Sequence, residues 1–229
     1  MDKGSSTVGI AVGVVVALIV GGVGGYAIGN NMGDDNKSDM SSMSMSEKNP
    51  STATKAADLR VTLNQQMRQH VELATIALKQ SAAGAPDAAA AVKALDNNSV
   101  ELSESIGSVY GDQAKSDFLA LWRKHIGFFV DYTNGVVKGD EDAQAKAKEN
   151  LTQYTEDAST FFSNATGADK AGLKEGLQKH ANQVFGIVDD YAAKDYTAMF
   201  EKEEEAYNHI GMAADILSAA IVKQNPDKF

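Results

Sequence analysis

Ala206-Tyr207-Asn208-His209-Ile210-Gly211-Met212-Ala213-Ala214-Asp215-Ile216-Leu217 is the stretch whose reading decides the fold. It has an earlier echo in Gln69-His70-Val71-Glu72-Leu73-Ala74-Thr75-Ile76-Ala77-Leu78. With His70 laid over His209, apolar residues fall at the same offsets, and Ala77-Leu78 lies over Ile216-Leu217. Apolar residues three and four apart in both segments predict amphipathic helices.

Working outward, helix midpoints fall at His70, Asn98, His125, Tyr154, His180 and His209, separated by 28, 27, 29, 26 and 29 residues. Leu95 and Leu151 are 56 apart; His125 and His180, and Asp140 and Asp195, are 55 apart. A near-constant period means repeated helical hairpins, and short connections make consecutive helices antiparallel neighbours. The breaks agree with this. Helix 1 is expected from about Ala57 to Ser81, and Gly84-Ala85-Pro86-Asp87 precedes helix 2. Gly111-Asp112, Gly139-Asp140, Gly167-Ala168-Asp169 and Asp195 open helices 3 to 6, and Asn225-Pro226 closes the last. No stretch alternates with period two, so no sheet is expected. The predicted fold is an all-α up-and-down bundle of about six helices over residues 56–229.

Ahead of the bundle, Val8 to Gly29 carries no charged residue. Roughly 20 apolar residues cross a bilayer as a helix, so 8–29 is predicted to be a transmembrane anchor behind a short cytoplasmic N-terminus, 1–7. Lys3 before it and Asp34-Asp35 after it put the C-terminal domain outside the cytoplasm. A cleaved, secreted form is the alternative. Gly21, Gly25 and Gly29 lie four apart, spacing that lets two spans approach as a homodimer. Residues 30–55 form a flexible linker, in which Met32, Met40, Met43 and Met45 stand among serines. Clustered thioethers are soft ligands suited to Cu(I).

Net charge is −10, and such a chain repels phosphate backbones, so nucleic acid is not an expected partner. There is no cysteine, which excludes disulfides, thiolate metal sites, iron–sulfur clusters and thiol nucleophiles. No nucleophile elbow or phosphate loop is present, and no catalytic residue is assigned. Trp122, Phe128, Phe129, Tyr132, Phe161 and Phe162 sit at helical spacing and read as core.

The histidines carry the remaining chemistry. In an up-and-down array with equal helices, His70, His125, His180 and His209 share the waist of the bundle. Met67 precedes His70 by three residues and Met212 follows His209 by three, on helices of opposite direction. Together they predict a copper site of His70, His209, Met67 and Met212. His125 and His180 would form a second pair or support it. Glu205, four residues before His209, is a further candidate ligand or a partner that fixes the imidazole tautomer. Two alternatives stand beside metal binding: a structural or interaction domain with a polar core layer of histidines, and a pH sensor in which protonated imidazoles repel one another.

The segments Leu121-Trp122-Arg123-Lys124-His125-Ile126-Gly127-Phe128-Phe129-Val130-Asp131-Tyr132 and Glu205-Ala206-Tyr207-Asn208-His209-Ile210-Gly211-Met212 resemble a group of uncharacterised exported bacterial helical proteins, some of them labelled copper-related. The resemblance spans most of Leu59 to Phe229 and implies an exported helical domain, with no defined activity. In that group the residue after the final histidine is often methionine; here it is Ile210.

Overall fold

Local chemistry marks most of the helix ends. The computed structural model describes residues 52–229 and contains helices α1 (Lys55–Ala83), α2 (Ala88–Tyr110), α3 (Asp112–Lys138), α4 (Glu141–Thr166), α5 (Lys170–Ala193) and α6 (Tyr196–Gln224), followed by a short 3₁₀ turn, Pro226–Lys228. At the N-termini, Thr54, Asp140, Asp169 and Asp195 accept hydrogen bonds from the amides of Ala57, Ala143, Gly172 and Ala198. These bonds satisfy amides that a helix leaves without an internal partner. The odd-numbered helices all end in one motif. Ala85, Asp140 and Asp195 donate back to the carbonyls of Gln80, Gly135 and Asp190, while Gly84, Gly139 and Lys194 donate to Ser81, Val136 and Tyr191. Both bond sets recur every 55 residues.

The residue at the turn of that motif needs a left-handed backbone. Gly84 and Gly139 supply it at φ 62° and 66°, but Lys194 holds φ 63° with a side chain attached. A left-handed residue other than glycine costs roughly 1–2 kcal/mol, partly offset by the extra unfolded-state entropy of glycine. Lys194→Gly is therefore expected to stabilise the bundle by about 1 kcal/mol, read as a higher urea midpoint at unchanged slope.

Consecutive helices pack as neighbours, α6 closes against α1, and α1, α3 and α5 also touch one another across the middle. The closing seam is polar on its outer side. Arg60 grips Asp215 with two bonds of 2.8 and 2.9 Å, the Asn64 amide donates to the Gly211 carbonyl at 3.0 Å, and the Arg68 guanidinium lies 4.5 Å over the Tyr207 ring. Beneath it one continuous core gathers Leu63 and Val71 of α1, Leu102 of α2, Phe118 and Tyr132 of α3, Leu151 of α4, Ile187 of α5 and Met199 and Ile221 of α6.

The six-helix bundle agrees with the periodic reading, but the expected transmembrane helix is corrected. Among the described residues no helix is long and apolar enough to cross a membrane. The physical reason is that each helix buries a stripe and carries charge on its other face. Residues 8–29, on which the anchor, its glycine-mediated pairing and a single-pass location rested, lie outside the described residues, as does the methionine cluster Met32, Met40, Met43 and Met45. The described fold is the bundle alone.

Candidate functional site: a buried histidine layer

His70, His125 and His180 occupy equivalent positions on α1, α3 and α5, 55 residues apart, on the three helices that meet in the middle. All three are buried, at 2%, 3% and 8% exposure. His70 Nε2 and His125 Nε2 approach to 3.4 Å. The ring centroids of His70 lie 5.4 Å from His125 and 6.4 Å from His180. Aromatic rings wall the group. Trp122 sits 4.9 Å from His70 and 4.6 Å from His125, edge-on to the latter, and Tyr154 of α4 sits 5.0 Å from His125.

The 3.4 Å contact constrains the protons. Two neutral imidazoles share such a contact only if one nitrogen carries hydrogen and the other does not. The Trp122 carbonyl, one turn earlier on α3, favours a proton on His125 without closing a hydrogen bond to it. With Nε2 engaged by His70, that proton belongs on Nδ1. His70 then donates from Nε2 and keeps a bare Nδ1. We assign these tautomers from the hydrogen-bond network. Nδ1 of His70, of His125 and of His180 each lacks a hydrogen-bond partner in the protein.

Burial holds the layer neutral. Desolvation first, then the neighbouring His180, pulls His70 down to about 3. Desolvation, then His209, pulls His180 down to about 4. His125 is lowered well below the ordinary range by burial and by both of its neighbours. The indole face favours a cation by about 0.5–2 kcal/mol. The displacement of His70 from 6.5 to about 3 corresponds to roughly 5 kcal/mol against the cation, so desolvation wins. Burial likewise raises the Tyr154 hydroxyl, which stays neutral.

The expected copper ligands do not converge. His209 is half-buried at the α5–α6 seam, where Nε2 donates to the Gly176 carbonyl at 2.9 Å. Met67 is core, but Met212 is 56% exposed. The buried stripe of α6 runs through Ile210, Ala214 and Leu217. At about 100° per residue, Met212 falls roughly 200° from Ile210 and faces out. Glu205 is exposed on the α5–α6 surface near Lys202. Among the described residues no group of three or more His, Asp or Glu side chains is placed to hold a metal. The copper site of His70, His209, Met67 and Met212, with His125, His180 and Glu205 in support, is therefore corrected. Three of the four histidines come together, and neither Met212 nor Glu205 joins them.

Sequence reasoning missed Trp122 as a wall of this layer. Its signal was its place three residues before His125, on the same helical face. Asn98, the α2 midpoint, leaves the layer to bond the Gln66 carbonyl and the Gln69 side chain at 3.0 and 3.2 Å. Comparison with protein-family models, curated proteins and solved structures returns no match for this chain.

Proposed function

We propose that the bundle is a non-catalytic, acid-responsive domain: closed at neutral pH, and opened when its buried histidine layer takes up protons. One observation carries this reading. Imidazoles from the three central helices gather around His70, which meets His125 at 3.4 Å and lies 6.4 Å, centroid to centroid, from His180, and among the described residues no carboxylate is found among the groups that bear on them. The titratable groups facing the layer are His70 on α1, His125 on α3, Tyr154 on α4, and His180 on α5, with His209 on α6 acting on His180. A proton on any one imidazole places a charge in the core with other imidazoles as its nearest ionisable neighbours, so a second proton meets repulsion as well as desolvation.

The sign follows from linkage. The folded state holds its histidines neutral far below 6.5, while the unfolded chain binds protons there. Stability is complete above about 6.5 and is lost as pH falls from there toward the folded values of about 3 and 4. Opening exposes apolar surface that a partner can bind. The test is near-ultraviolet dichroism of Trp122 and dye binding between pH 7.5 and 4.5. Loss of the tryptophan signal with gain of dye binding supports the reading, provided a His70→Leu/His125→Leu/His180→Leu variant stays closed over the same range. A wild-type signal that is flat from pH 7.5 to 4.5 removes it.

A further inference from the structure

We propose that the histidine layer encloses a structural-water site, in which buried water donates a hydrogen bond to His70 Nδ1 and bridges it to the neighbouring imidazoles. This inference rests on the same layer as the acid response. A cavity of about 30 Å³ lies in the middle of the bundle, with His70, His125 and His180 all in its lining. Ala74, Ala77 and Leu95 are among its other walls. One water needs roughly 10–15 Å³ of such space, so there is room for about two.

The polar demand is set by the tautomers. The His70–His125 contact uses one nitrogen of each ring and leaves the other without a protein partner. One of these nitrogens is a bare acceptor and the other an N–H donor, whichever ring donates across the contact. Nδ1 of His180 adds a third unpartnered group. A molecule that both donates and accepts, and is no larger than the cavity, meets both demands. Water does so, whereas an apolar occupant meets neither. Apart from Ser81, the remaining walls are alanine and larger aliphatic or aromatic side chains, which offer the water no competing bonds.

Two nuclear magnetic resonance measurements on the folded chain at pH 7 test this. Cross-peaks from water to the methyl groups of Ala74, Ala77 and Leu95 are expected, with nitrogen-15 signals showing His70 protonated at Nε2. In Ala77→Leu, which fills the cavity, the cross-peaks are expected to disappear. The His70 Nδ1 resonance should then move downfield, to the position of an imidazole nitrogen with no bond. Ala74→Val is the second filling variant should Ala77→Leu not fold. Absence of the cross-peaks in the wild type, or their persistence unchanged in a folded filling variant, overturns the site. A dry cavity with acid opening intact sinks this inference alone. A hydrated cavity with stability flat from pH 7.5 to 4.5 sinks the acid reading alone.

Discussion

Between pH 7.5 and pH 4.5 the bundle is expected to lose on the order of 7 kcal/mol of stability, the largest effect that any feature of this molecule implies. Each buried histidine has an unfolded pKa near 6.5, while His70 and His180 sit at about 3 and about 4 when folded. At pH 4.5 each of these two therefore costs roughly 2–3 kcal/mol, because the unfolded chain is protonated there and the native chain is not, and His125 is displaced in the same direction. Three such groups give a slope approaching 4 kcal/mol per pH unit. A domain of this size is typically stable by roughly 5–15 kcal/mol, so the loss is enough to bring it near its midpoint. Urea denaturation at half-unit pH steps measures the slope directly. A slope under about 1 kcal/mol per unit between pH 6 and 5 would sink the claim that the layer stays neutral.

Other groups do not imitate this signal. Glu156, held down to about 2 by Lys170 and Lys174, and Asp215, lowered by Arg60, lose their partners only at more acid pH. Burial raises Glu203 and Asp131, so the native state binds their protons earlier, which softens the acid loss slightly. Single His→Leu variants at 70, 125 or 180 should each remove about one third of the slope. At neutral pH replacing His70 or His125 leaves the other's Nε2 without its contact, which costs roughly 1–3 kcal/mol.

How much of this was legible in the residues follows from what each feature depends on. The hairpin period could be read because it is written in local turn chemistry. Gly84 and Gly139 supply the left-handed turns, and Asp140 and Asp195 the caps, at intervals of 55. The meeting of His70, His125 and His180 was legible for the same reason, since equal helices bring equal positions to one height. Helix rotation was not legible. Around His209 the neighbours Ala206, Ile210, Gly211, Ala213 and Ala214 leave several faces apolar enough to bury. The choice was made by packing against α1 and α5, where Gly211 faces Arg68 and Asn64, and His209 faces Gly176. Met212 was misplaced because a three-residue step was read as staying on one face. On α6 that step crosses from the seam to solvent. The long apolar run at 8–29 is legible as hydropathy, but it lies outside the described residues.

Trp122→Ala is the second large effect, and it acts on stability and on its pH dependence at once. The indole is 4% exposed and packs against Phe118 at 5.2 Å as well as His70 and His125. Truncating a buried tryptophan costs about 3–5 kcal/mol from lost transfer energy and the cavity left behind. That alone does not separate it from any other core residue. What does is the location of the cavity. It opens beside two imidazoles that burial keeps neutral, each with an Nδ1 that has no protein partner, so the enlarged space is expected to admit solvent. Water restores solvation to the charged form, and the folded pKa values of His70 and His125 rise toward 6.5. The variant should therefore be less stable at pH 7.5 yet lose less on going to pH 4.5, so its curve and the wild-type curve converge in acid. Trp122→Phe keeps most of the apolar wall and should retain the steep slope at a smaller neutral cost. Leu63→Ala, a fully buried truncation in the main core, is the control, with a comparable loss at pH 7.5 and no change in slope. If Trp122→Ala and Leu63→Ala give parallel curves, the indole is ordinary core, and something other than its face keeps bulk solvent from the histidines.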